Sequence, residues 1–322
     1  MTTPTPEFSL IARYFTRATP GAIIGVGDDC AVLSISPGHE LVVSTDSLVA
    51  GAHFFANTDP GNLGHKALAV NLSDLAAMGA TPRWCTLALT IPKIDHPWLA
   101  AFSAGFFSLA DAVGIELVGG DTTHGPLSIT VTVLGQLTSG KALRRNGANA
   151  GDDVWVSGTL GDAALALRML RGQIVLAEPQ SKIAISRLER PMPRLMLGLE
   201  LHGIATSAID ISDGLAADLG HICERSNLGA RLELASLPTS STMKEQVTAV
   251  RIECQLAGGD DYELCFTAAP SSRPKIEDLS IVLGLPLTRV GKMMVGQGVS
   301  IVDAQGLNVH LDKFGFDHFA QS

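Results

Sequence analysis

AIDISDGLAADLGHICER, Ala208 to Arg225, is the stretch from which the fold is read. Ala208 to Ile211 is a short apolar run of strand character, Ser212 to Gly214 a turn, and the following residues repeat apolar positions at helical spacing to about Arg225, with Ser212 expected as the cap. Val154 to Val156 reads as a strand that turns through Gly158 and Gly161 into a helix at Ala163 to Leu170, and Tyr262 to Thr267 as a late strand after the turn at Gly258 to Asp261. In the first half, a short helix is expected at Glu7 to Phe15 and strands at Leu41 to Ser44, Ile115 to Val118 and Leu127 to Leu137, the last alternating as a half-exposed strand does. Helices are expected at Lys66 to Met78 and Trp98 to Val113, ended by Gly79 and Gly114. Strands and helices alternate in both halves, which implies mixed α/β domains. At 322 residues two domains are expected, divided in the Gly- and Asn-rich stretch Ser139 to Asp152, which gives 1–140 and 141–322.

Chemistry enters through seven acidic runs: GVGDDCAVL (25–33), STDS (44–47), NLSDLAAMGA (71–80), GGDTT (119–123), SGTLGD (157–162), AIDISDGL (208–215) and GGDDYELCF (258–266). Each sets aspartate beside an apolar segment with almost no Lys or Arg nearby. Taken singly, a Gly-Asp pair is a turn signal. Together, carboxylates converging without basic neighbours require a cation, and Mg²⁺, which takes oxygen ligands and bridges carboxylates to phosphates, fits best. Asp74 stands out because it interrupts an apolar helix and shares a face with Asn71. Asp46 and Asp121 are expected just beyond strand ends, where sites of α/β proteins gather. Asp210 and Asp213 bracket Ser212 at a strand-to-helix turn whose free N–H groups would favour phosphate. Arg144 and Arg145 are either a solvated pair or a phosphate clamp.

The net charge of -9 and pI near 5.4 argue against nucleic acid or an anionic membrane as partner. Five cysteines without a CxxC pair read as reduced thiols, and neither a signal pattern nor a membrane-length apolar run is present, so a cytoplasmic protein is expected. No GxxxxGK[ST], strand-following GxGxxG, HExxH or GxSxG occurs, which leaves an ATP enzyme built on carboxylates and magnesium.

These runs, in this order, resemble the thiamine-monophosphate kinases, within the superfamily of aminoimidazole ribonucleotide synthetase, selenophosphate synthetase and a hydrogenase-maturation ATPase. GDDCAVL, STDSLVAGAHF, KALAVNLSDLAAMGATP, GGDTTHGPLSIT, SAIDISDGLAADLGH and DYELCF carry the resemblance, which runs nearly the whole length. It implies a two-domain fold in which the N-terminal domain forms a dimer through a shared β-barrel and a C-terminal α/β domain closes over a cleft. It implies ATP-dependent phosphorylation of thiamine monophosphate, with several Mg²⁺ ions held by Asp29, Ser44, Thr45, Asp46, Asp74, Asp121, Asp210 and Asp213. Gly120, Asp121, Arg145 and Ser212 correspond to ATP contacts, and His53, Asp260 and Phe316 to contacts of the thiamine phosphate. Asp260 replaces the family's usual Glu, one methylene shorter, and Phe316 its usual Trp or Tyr, which removes a hydrogen-bond donor. A sister ATP enzyme making selenophosphate or an aminoimidazole ring, and a catalytically silent nucleotide-binding protein, are the alternatives. The reactive Cys with nearby Lys of selenophosphate synthetases is missing ahead of Cys30, and the silent reading predicts lost aspartates that are all present.

Overall fold

The computed structural model describes residues 6–315, which divide into two compact units, 6–75 with 80–141, and 76–79 with 142–315. The first unit's elements are α1 (Pro6–Tyr14), β1 (His39–Val49), α2 (Pro60–Met78), β2 (Thr81–Ile91), α3 (His96–Val113), β3 (Glu116–His124) and β4 (Ser128–Thr138). The second has β5 (Asp153–Ser157), α4 (Asp162–Leu170), α5 (Gln180–Glu189), α6 (Leu195–Glu200), β6 (Ser207–Asp210), α7 (Leu215–Ser226), β7 (Gly229–Glu233), α8 (Ser241–Lys244), α9 (Thr248–Ala257), β8 (Leu264–Ala268), α10 (Arg273–Leu283), β9 (Leu287–Met294) and β10 (Gly298–Val302).

In the first unit the four strands lie in the order β1-β4-β2-β3, antiparallel except for β2 with β3. α2 is buried over most of its length, with Leu68, Leu72 and Leu75 fully enclosed. It packs closely on α3, because a Cβ on Gly105 would sit 1.8 Å from the Gly61 carbonyl oxygen. The α2 side of the sheet carries buried Val131, Val133 and Leu89. The other face is open along β1: Leu41, Val43 and Val49 are 41%, 55% and 40% exposed. Thr45 and Ser47, between them, bond the hydroxyls of Thr132 and Thr130 on β4 at 2.9 and 2.7 Å.

Two strands run further than their apolar residues suggest. β1 was expected to stop at Ser44 and β3 at Val118, but Asp46 and Asp121 lie inside them rather than in turns. An edge strand with one open face needs no apolar residues there, and cross-strand hydroxyl pairs serve instead. The four strands form an open sheet in this chain, not a closed barrel.

The second unit is built on a six-stranded mixed sheet ordered β10-β7-β9-β5-β8-β6, parallel only between β10 and β7. α7 buries Leu215, Leu219 and Ile222 in the same core as Val154, Val156, Ile209 and Val290. Its N-cap is Gly214, not Ser212, and the cap makes no side-chain bond. No described helix is long and apolar enough to cross a membrane.

Candidate functional site

In the first unit, alternation along β1 turns Ser44 and Asp46 toward α2 and Thr45 toward the open face. The Ser44 hydroxyl donates to Asp74 Oδ2 at 2.5 Å, and the Asp46 N–H donates to Asn71 Oδ1 at 2.9 Å. The Asn71 side chain, almost fully buried, also donates to the Ala67 carbonyl. Asn71 and Asp74 of α2 thus fix the strand that carries Asp46. His53 follows in the turn after β1, where its Nδ1 accepts the Val49 N–H at 2.9 Å, so the neutral ring carries its proton on Nε2. Asp29 is exposed in the loop that precedes β1, its N–H bonded to Asp28.

Gly120 and Asp121 are on β3, at the opposite edge. Asp46 pairs with Val131, Val131 with Leu87 and Leu87 with Gly120. Three strand spacings therefore separate Asp46 from Gly120, about 14 Å along the sheet. A Cβ at position 120 would lie 1.9 Å from the Leu87 carbonyl oxygen, which requires the glycine.

In the second unit, Asp210 ends β6, buried, opposite Leu264 of β8. The next turn holds Ser212 and Asp213, and its N–H groups are not free for phosphate. Those of Ser212, Asp213 and Gly214 all donate to Asp218 Oδ2, at 3.0, 3.1 and 3.0 Å. Burial, with the Asp213 charge beside it, pushes the Asp218 carboxyl up to about 7. Asp218 does the capping expected of Ser212. Arg145 is exposed, and its carbonyl accepts the hydroxyl of Ser226 at the far end of α7, about 18 Å along the helix from the turn of Ser212.

The run GGDDYE folds against that same turn. The Asp260 N–H donates to the Ser212 carbonyl and the Tyr262 N–H to the Ile211 carbonyl, both at 2.8 Å. A Cβ on Gly259 would lie 2.3 Å from the Ser212 carbonyl oxygen. Asp260 and Tyr262 both adopt left-handed backbone, φ 68° and 49°, at a cost of roughly 1–2 kcal/mol each. The Tyr262 hydroxyl donates to Asp260 Oδ1 at 3.2 Å. Phe316 lies outside the described residues.

Several acids of the seven runs, none of them among the residues expected to hold Mg²⁺, are internal fastenings. Glu263 pairs with Arg187 and Arg194, and Asp162 accepts the Ser240 hydroxyl; outside the runs, Asp153 pairs with Arg273. Asp261 accepts the Gly161 N–H. Burial raises the pKa of both Asp162 and Asp261. The arginines come from positions distant in sequence, so the runs are bare of basic partners only along the chain. Among the described residues no group of three or more His, Cys, Asp or Glu side chains is arranged to hold a metal ion. What remains around Ser44, Asp46 and Asp74, and at Asp210 and Asp213, is an oxygen-only donor set, the chemistry that suits Mg²⁺.

Residues 27–137 match the AIR synthase related protein N-terminal domain, and residues 149–303 its C-terminal domain. The thiamine-monophosphate kinase of Salmonella typhimurium is 47% identical over 320 residues, 98% of each chain. The chain belongs to the thiamine-monophosphate kinase family. The crystal structure of the family member from Stenotrophomonas maltophilia K279a is 48% identical, covers 91% of this chain and 94% of that one, and superposes with a TM-score of 0.84. A second, AaThiL complexed with AMPPCP and TMP, is 30% identical over 89% of each chain with a TM-score of 0.78.

Proposed function

We propose that this chain transfers the γ-phosphoryl group of ATP to the phosphate of thiamine monophosphate, giving thiamine diphosphate and ADP. The observation that carries this is the 47% identity to a thiamine-monophosphate kinase along 98% of the chain. A relative of the same fold, AaThiL complexed with AMPPCP, a non-hydrolysable ATP analogue, and TMP, supports it.

The acceptor is a phosphate monoester whose second pKa is about 6, so at neutral pH its oxygen is already a nucleophile. No side chain is needed as general base. The protein's task is to orient two anions in line, so positioning and electrostatics carry the rate. Magnesium, when bound, offsets the charge of both reactants and of the transferring group. Asp29, Ser44, Thr45, Asp46, Asp74, Asp121, Asp210 and Asp213 are the residues that would hold it. Asn71 keeps Asp46 in place, and Asp218 keeps the turn of Ser212 and Asp213 in place. Gly120, Arg145 and Ser212 contact the nucleotide in this reading, and His53, Asp260 and Phe316 the acceptor.

The working form is a homodimer in the cytoplasm. The open face of the first unit's sheet, with Leu41, Val43 and Val49 exposed, is suited to a second copy that completes a barrel. About 14 Å between the strands of Asp46 and Asp121 is too far for one ion, and a second copy supplies the missing edge. The test is ADP release with thiamine monophosphate, compared with free thiamine, selenide and no acceptor, alongside the mass in solution. Equal rates with and without thiamine monophosphate would refute the activity.

A further inference from the structure

Residues 260 to 263 alternate between outward and inward. The two inward residues are buried acids. Asp261 receives the Gly161 N–H on both oxygens, at 3.0 and 2.9 Å. Glu263, fully buried, receives Arg194 Nε at 2.6 Å, an Arg187 guanidinium nitrogen at 2.7 Å and the Ser157 hydroxyl at 2.6 Å. Arg187 lies on α5 and Arg194 just ahead of α6. The two outward residues, Asp260 and Tyr262, have left-handed backbone and are joined by the tyrosine hydroxyl.

A buried acid with two arginines is at best neutral for stability against apolar packing of the same volume. Left-handed backbone at two non-glycine residues is unfavourable as well, and such outliers persist where surrounding structure enforces them for a purpose. Both features converge on the orientation of one half-buried carboxylate, that of Asp260. We propose that Glu263, clamped by Arg187 and Arg194, is a positioning residue for the phosphoryl acceptor. It holds the backbone of residues 260–262 so that the Asp260 carboxylate, steadied by the Tyr262 hydroxyl, stands preformed for the permanently cationic ring of thiamine monophosphate. The inference rests on Asp260 being an acceptor contact, as the proposed function has it.

Steady-state kinetics with each substrate varied tests it, on the full chain and on Glu263→Gln, Arg194→Lys, Tyr262→Phe, Asp260→Asn and the Glu263→Gln/Asp260→Asn pair. Glu263→Gln and Arg194→Lys are expected to raise KM for thiamine monophosphate tenfold or more, with KM for ATP within twofold. Tyr262→Phe, which leaves the buried cluster untouched and keeps the test alive if Glu263→Gln does not fold, should raise it threefold to tenfold. In the Asp260→Asn background Glu263→Gln should add almost nothing, because the clamp acts through that carboxylate. Additive losses in the pair, equal rises in both KM values, or a fall in kcat alone that tracks the folded fraction would overturn the clamp. Absence of wild-type turnover would instead overturn the function, and the clamp with it.

Discussion

The Asp46 N–H and the Asn71 side-chain oxygen meet at 2.9 Å, a bond that, with Ser44 to Asp74, ties the strand bearing Asp46 to a buried helix. Asn71→Ala strands that N–H and the Ala67 carbonyl contact. It should cost about 1–3 kcal/mol, read as a lower midpoint in thermal or urea unfolding, and should reduce turnover because Asp46 loosens. Asn71→Asp, which keeps an acceptor, should lose less stability.

Asp46→Asn and Asp121→Asn each keep side-chain size and remove a charge. Turnover should fall at least ~100-fold while the unfolding midpoint stays at or above that of the parent. Excess EDTA should stop the parent enzyme, and added Mg²⁺ should restore it. Undiminished catalysis in either variant, or in EDTA, would remove the carboxylate and metal basis of the mechanism.

The raised carboxyls give a pH dependence of definite sign. Asp218 titrates near 7 in the fold against 3.8 ordinarily, and burial also lifts Asp162 and Asp261. Between those values the native chain holds protons that the unfolded chain has released, so unfolding free energy falls as pH rises. Calorimetry of the EDTA-treated protein should show a melting temperature that drops from about pH 5 to about pH 8. Asp218→Asn should flatten that slope, and an unchanged slope would exclude Asp218 as its source.

Gly259→Ala and Gly203→Ala separate crowding from backbone preference. At 259 the new methyl would lie 2.3 Å from the Ser212 carbonyl oxygen, whereas at 203, with φ 72°, it meets nothing within 4 Å. The first should cost roughly 2–3 kcal/mol and displace the turn, the second about 1 kcal/mol. Chemical denaturation of both proteins gives the comparison.

The strand, turn and helix from Ala208 to Arg225, and the glycine-stopped helices α2 and α3, were legible because each obeys a local rule of periodicity or capping. The extents of β1 and β3 were not, since an edge strand with an open face tolerates Thr, Ser and Asp that read as a turn. The partners of the acids were also hidden. Glu263 meets arginines 76 and 69 residues away, and no local pattern announces a pairing over that separation. Asp218 gave a weak signal at best, an acid in the first turn of a helix, which ordinarily stays at the surface beside the dipole.

The three N–H groups gathered on Asp218 also bear on selectivity against small anions. A helix start with its donors exposed is a trap for any orthophosphate or sulfate in the surroundings. Here those donors are already saturated from within, so a bare anion finds a hydroxyl and a like charge at Ser212 and Asp213 instead of a nest. None of these three backbone donors is left over for an incoming anion, so a ligand that docks at this turn must be held by other groups.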